Sequence, residues 1–365
     1  MDVVKAAPGH VDHDIAWSVV SVSSPEPVCI ACLIQQLEDT SIPSIQKRLI
    51  LSIFTNILKE HEDIALLFRK NLLVARHLLD ILTDSDVTDI SVPVSVCQLL
   101  MEKMECEELV LYLLDKTEWQ VENMCEEKKI LACLLLIGQL VSLSPVYSSI
   151  LLQTHGQLLE NLVCLLSSAV ESLQCCIVFI MVHLFEPALI SYIPVRLKQA
   201  LVTQTVQLLN TAQDLELQIN ILALLKKLLK NIETSSMIQN DSNERKSLVN
   251  GFKKLYVTKQ EVLQTAGTQC IISLLSTCQT DQPIHDILDS DLTEFLFECL
   301  HTQSATQIEC VMNCLLKLTE YDLFFTRCHA VYGTESVLLA LDALQAMKHI
   351  KLIEKGLNLL ASFLK

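Results

Sequence analysis

The sequence predicts an all-α solenoid of stacked helix pairs or triplets. Three observations carry this. Leu, Ile, Val and Cys recur at three- and four-residue spacing over most of the chain, the pattern of amphipathic helices. Gly and Pro are scarce, 7 and 9 in 365 residues, which favours long helices joined by short turns. One helix type recurs, as expected of a repeat array and not of a single hydrophobic core.

Residues 1–27 read as a flexible leader, with Pro8, Gly9, Pro25, Pro27 and a cluster of serines. The array is expected over 28–365. Its recurring helix opens with polar residues and continues as a dense apolar stripe. Copies are read at 44–60, 91–103, 127–143, 171–185, 215–230, 262–278, 307–320 and 347–365. Anchoring on Gln174, Gln218, Gln264 and Gln307 gives spacings of 43 to 46 residues. Shorter apolar helices fall between them at 64–82, 157–166, 195–209, 292–300 and 336–346. Neither helix of a pair buries its apolar face alone, so neighbouring units must complete the core. A stretch near 231–259, rich in Ser, Asn, Glu and Lys, reads as a polar insertion: a loop followed by a short basic helix with Lys253 and Lys254.

Within the recurring helix one line stays polar. Arg48, Ser52, Thr55 and Lys59 are four, three and four residues apart and share a face. Asn220 and Lys227, then Glu309 and Asn313, then Lys351, Lys355, Asn358 and Ser362 continue it. His183 is the one polar member kept in the 171–185 copy. The candidate protein-binding ridge is therefore Arg48, Ser52, Lys59, Asn220, Lys227, Asn313, Lys351, Lys355 and Asn358.

Chemistry is poorly represented. No phosphate-binding loop, HExxH or GxSxG motif is present. Cys29 and Cys32 have metal-ligand spacing but no second CxxC pair, and read as structural cysteines on an apolar helix. Cys328-His329 has no evident third partner, and His10 and His13 with Asp12 and Asp14 sit in the leader. No catalytic residue, cofactor or metal is expected. The chain carries 43 acidic against 27 basic residues, a formal charge of −16, which disfavours a phosphate backbone as partner. Basic pairs Lys47-Arg48, Lys226-Lys227 and Lys253-Lys254 are scattered. No apolar run reaches the ~20 residues of a membrane span. The 15 cysteines, largely within apolar runs and with no signal peptide ahead of them, are expected to be reduced thiols in a nuclear or cytoplasmic protein.

The segment Ser44-Ile-Gln-Lys-Arg-Leu-Ile-Leu-Ser-Ile-Phe-Thr-Asn56-Ile-Leu resembles the third helix of an armadillo repeat, and Leu217-Gln-Ile-Asn-Ile-Leu-Ala-Leu-Leu is similar. The resemblance to armadillo/HEAT-type proteins covers 28–365 and implies a protein-binding solenoid. Trp17 and Trp119 occupy no ladder position, so cargo binding in the manner of nuclear-import receptors is not implied. The Cys- and Leu-rich array, its acidic balance and the leader Met1-Asp-Val-Val-Lys-Ala-Ala-Pro-Gly-His10 resemble the animal meiosis inhibitor proteins. That resemblance implies a nuclear, non-enzymatic scaffold supporting meiotic DNA double-strand break formation and chromosome synapsis. Its partners would be meiotic recombination-initiation factors. The alternative is a cytosolic trafficking or transport adaptor with the same groove. The amphipathic helix at 352–364 has no polar capping repeat after it, so a shortened isoform or part of a longer solenoid is expected, with self-association through that repeat.

Overall fold

The computed structural model describes residues 18–21, 24–39, 41–60, 124–143, 145–154, 156–187 and 189–363. The helices expected at 64–82 and 91–103, and His10 and His13, lie outside the described residues. Contacts divide the chain into two compact units, Met1–Leu151 and Leu152–Lys365.

In the first unit, β1 (Ser18–Ser21) pairs antiparallel with β2 (Ser24–Cys29), with Val19 opposite Val28. These are the only strands among the described residues, and they place extended backbone in part of the expected leader. Helices α1 (Ile30–Glu38) and α2 (Ser44–Glu60) follow and pack together, burying Leu33, Leu37, Ile50, Leu51 and Phe54. Among the described residues, α3 (Met124–Leu143) and α4 (Pro145–Thr154) are the further helices that begin in this unit.

The second unit is built from three-helix repeats. Its longest series, the third helix of each repeat and here the third series, comprises α6 (Glu171–Leu184), α8 (Leu215–Lys230), α11 (Glu261–Thr277), α14 (Ala305–Leu318) and α17 (Ile350–Phe363). Their first residues are 44 to 46 positions apart, and each helix packs on the next. A second series, α7 (Val195–Thr211), α10 (Ser242–Val257), α13 (Leu292–Glu298) and α16 (Gly333–Ala346), forms the layer behind it, again packed in order. α5 (Gly156–Leu165) packs on α6 and α7. Short first helices α9 (Ile232–Asn240), α12 (Gln282–Leu288) and α15 (Asp322–Ala330) complete the triplets; a 3₁₀ turn, Ile190–Tyr192, precedes α7.

The core lies between the layers. Leu217, Ile221, Leu224, Leu225 and Leu228 of α8 are buried together, the i, i+4, i+7, i+8 and i+11 positions of one stripe. Each such side chain contributes about 1.5–3 kcal/mol. Close layer contact needs small residues at crossings. A Cβ on Gly251 of α10 would lie 2.5 Å from Leu209 Cδ2 of α7, and one on Gly333 would lie 2.5 Å from Phe297 Cζ.

The expected polar insertion at 231–259 is corrected: it is the first two helices of an ordinary repeat, α9 and α10. The polar residues that suggested a loop are caps and buried links. Asn231 caps α9 by accepting from the Thr234 amide at 3.1 Å, and Asp241 caps α10 from Asn243 and Glu244 at 2.8 and 3.3 Å. Thr234, Ser235 and Gln239 are buried. Thr234 Oγ1 donates to the Leu228 carbonyl at 2.5 Å, and Ser235 Oγ lies 2.8 Å from Thr277 Oγ1. Gln239 donates to Ser235 Oγ at 2.8 Å and accepts from the Gln279 amide at 3.1 Å.

Candidate functional site

The proposed ridge divides between the two units. In α2, Ser52 is exposed; Arg48 and Lys59 have helical backbone, and their side chains lie outside the described residues. In the second unit the ridge residues sit on the solvent side of the α6–α8–α11–α14–α17 layer, where the period of 44 to 46 residues brings equivalent positions of adjacent helices side by side.

Several of them bond along that layer. Asn220 Nδ2 lies 3.3 Å from Cys175 Sγ, 45 residues earlier. Lys227 donates to the Val182 carbonyl at 2.6 Å and pairs with Glu186. Lys355 pairs with Glu309. Neighbouring rungs add Lys226 to Gln269 at 2.5 Å and Cys270 Sγ to the Leu222 carbonyl at 3.3 Å. Asn313, half-buried, and Lys351 and Asn358, exposed, have no side-chain hydrogen bond or ion pair among the described residues. The ridge is thus partly a set of inter-helix ties and partly an open polar surface. Periodicity exposed the line; it could not distinguish the two roles, because each tie joins residues more than 40 positions apart.

The glutamines that marked the register have a role of their own. Gln174 Nε2 donates to the carbonyls of Leu166 and Ser168 at 3.2 and 2.6 Å. Gln218 reaches the Ala212 carbonyl at 2.9 Å, and Gln264 that of Tyr256 at 3.0 Å. Each starts a third-series helix and takes up a carbonyl in or near the last turn of the helix before it, where backbone acceptors lack partners. Their recurrence signalled the repeat because the same turn recurs.

The basic pairs of the second unit, Lys226-Lys227 and Lys253-Lys254, are also spoken for. Lys253 meets Asp291 at 3.1 Å, and Lys254 donates to the Asn210 carbonyl at 2.7 Å. Other ties join helices of neighbouring repeats in the same way: Lys198 to Glu233 at 2.6 Å and Arg245 to Asp286 at 2.6 Å.

The thiols of the inter-helix core are shielded. Burial pushes Cys270 up to about 12 and Cys310 up to about 11, and raises Cys314 as well. Cys176, beside the ridge, is pushed up to about 12 by burial and then by Cys175. Such thiols are poor nucleophiles at neutral pH. Cys29 closes β2 while Cys32 lies in α1, so this pair straddles a strand–helix junction and does not share a helix as its spacing suggested. Cys328 is buried in α15, and burial pushes its thiol up to about 11; the adjacent His329 is exposed. His183 stands edge-on to Phe179, centroids 4.9 Å apart. Desolvation and the nearby Lys227 cation hold its pKa below the usual histidine value. Among the described residues, no group of three or more His, Cys, Asp or Glu is placed to hold a metal ion. Among them, too, no helix is long and apolar enough to cross a membrane.

Solved structures of similar fold include designed armadillo repeat proteins and other engineered proteins. A designed armadillo repeat protein aligns with a TM-score of 0.52 over 67% of this chain and 96% of its own, at 16% identity. A designed armadillo repeat protein in complex with the peptide (KR)4 aligns at 0.51 over 66% of this chain and 95% of its own, also at 16% identity. An engineered protein aligns at 0.55 over 91% of this chain and 88% of its own, at 14% identity. The fold is therefore an armadillo-type helical solenoid. Meiosis inhibitor protein 1 of Homo sapiens is 30% identical over 376 residues, covering 97% of this chain, and that of Mus musculus 29% identical over the same share. The chain spans 29% of the length of these relatives. The family model for the meiosis inhibitor protein 1 N-terminal domain matches residues 28–365, the whole of the expected array, and the chain belongs to that family.

Proposed function

We propose that this chain is a non-enzymatic protein-binding scaffold that supports meiotic double-strand break formation and chromosome synapsis in the nucleus. Family membership supports the meiotic setting. The observation that carries the scaffold reading is the serial packing of α6, α8, α11, α14 and α17 in one layer, whose last two helices present Asn313, Lys351 and Asn358 without partners of their own among the described residues. Repeat arrays use such extended surfaces for binding. The acidic balance of −16 favours basic protein partners over nucleic acid. Self-association is a further part of the proposal: Ile350 and Leu357 of α17 are 78% and 55% exposed.

Proximity labelling with the tagged chain in meiotic germ cells tests the reading. Recovery of recombination-initiation and chromosome-axis proteins, lost with Lys351→Glu plus Asn358→Asp, is expected. Recovery of trafficking components with a cytoplasmic signal would replace it with the adaptor function. Light scattering of the purified chain should show dimers or larger species; a monomer at all concentrations removes self-association.

A further inference from the structure

A cleft of about 660 Å³ opens between two successive repeats of the second unit, where the turn after α10 meets the turn after α13. Its volume lies in the range of ligand-binding clefts. Tyr256 and Phe295 form an apolar wall, their rings parallel within 2° and 6.1 Å apart. Glu261 and Glu298 supply two carboxylates, and Lys259 and His301 also line it.

The floor holds an unused acceptor. Gln264 Nε2 donates to the Tyr256 carbonyl at 3.0 Å, and Gln307 Nε2 donates to Gln264 Oε1 at 2.7 Å. A backbone carbonyl only accepts, so the orientation of Gln264 is set by Tyr256, and that of Gln307 is set in turn by Gln264. The relay ends on Gln307 Oε1, which has no hydrogen-bond partner although the residue is 1% exposed. A buried acceptor left without a partner is destabilising, and a donor brought to it removes that cost. The helix N-termini here do not call for an anion: Glu261 sits in the first turn of α11, and Ser304 caps α14. One oxygen of Glu261 accepts from Thr302 Oγ1 at 2.6 Å, and Glu298 is exposed.

We propose that this cleft is a docking site for an arginine side chain of a partner protein, separate from the polar ridge. A guanidinium is planar and carries five donors. Its face stacks on an aromatic wall while its edge meets carboxylate and amide oxygens. Phe295 offers the face, Glu298 and the free oxygen of Glu261 the counter-charge, and Gln307 Oε1 the inner acceptor.

The test is an NMR titration of the full chain with N-acetyl-argininamide, following the side-chain amides of Gln264 and Gln307. Saturable shifts of both are expected. N-acetyl-citrullinamide, which has the shape without the charge, should bind at least about tenfold more weakly, a difference of ~1.4 kcal/mol. Glu298→Arg, a change at an exposed position, should abolish the shifts, and Lys351→Glu on the ridge should leave them intact. Equal shifts from citrullinamide or N-acetyl-lysinamide, unchanged shifts in Glu298→Arg, or no saturable shift at all would each overturn the assignment. None of these results bears on the ridge, so this site and the scaffold reading fail independently.

Discussion

Lys227 of α8 reaches across to the preceding third-series helix, donating to the Val182 carbonyl at 2.6 Å and pairing with Glu186 just beyond the end of that helix. One side chain therefore satisfies a backbone acceptor in the last turn of α6 and ties two repeats together. The side chains are 27% and 43% exposed, so solvent screens the pair. A double-mutant cycle with Lys227→Met and Glu186→Gln should return a coupling of about 0.5–1 kcal/mol. Denaturant unfolding measures it; a coupling of several kcal/mol would mean the pair is far better shielded than its exposure indicates.

Arg245 and Asp286 should behave differently. Their side chains are 13% and 19% exposed, and Arg245 also donates to the Gln239 carbonyl at 2.5 Å. Asp286→Ala leaves a shielded guanidinium without its counter-charge, and a loss of about 3 kcal/mol is expected. Melting of the variant against wild type measures this. A loss no larger than that at Lys227 would show that water reaches the pair.

The helical glycines separate two opposing effects. Ala is the better helix former by about 1 kcal/mol. At Gly267 an added Cβ meets Leu255 Cδ1 at 3.4 Å, near ordinary contact, so Gly267→Ala should stabilise the chain slightly. At Gly251 the Cβ would lie 2.5 and 2.7 Å from Leu209, and overpacking of about 1–3 kcal/mol outweighs the propensity gain. Thermal melts of the two variants should shift in opposite directions.

Thiol accessibility gives a fourth check. Cys164 is exposed, whereas Cys270 and Cys314 are buried with raised pKa values. Brief alkylation of the native chain at pH 7.5 followed by mass spectrometry should label Cys164 first. Cys270 and Cys314 should react only after denaturation. Early labelling of Cys270 would show that the α8–α11 packing opens readily.

His183 predicts a pH dependence. Its folded pKa is below the ordinary histidine value of 6.5, first through desolvation and then through Lys227. The unfolded chain therefore binds more protons in the interval between the two pKa values, and stability rises with pH there. The contribution is complete above 6.5 and is lost as pH falls through the interval below it. His183→Asn should flatten the stability profile in that interval. Lys227→Met should raise the His183 pKa, read by NMR titration, because it removes the neighbouring cation.

The sequence by itself determined the repeat. Leu and Ile at three- and four-residue spacing define helices with one buried stripe, and the glutamines at 174, 218 and 264 recur because the turn they close recurs. The bounds of α2 and α8 coincide with those expected, since a strong apolar period is a local property of the chain. Local pattern failed where helicity depends on neighbours. α9 is polar and reads as a loop until Ser235 and Gln239 are seen to bond with the end of α11. α12 and α15, of seven and nine residues, are too short to show a period. Only the tertiary structure decided which ridge residues are ties and which are open, and where Gln307 leaves an acceptor unused. Those facts depend on residues some 35 to 48 positions apart meeting across a helix interface, a separation no local pattern encodes.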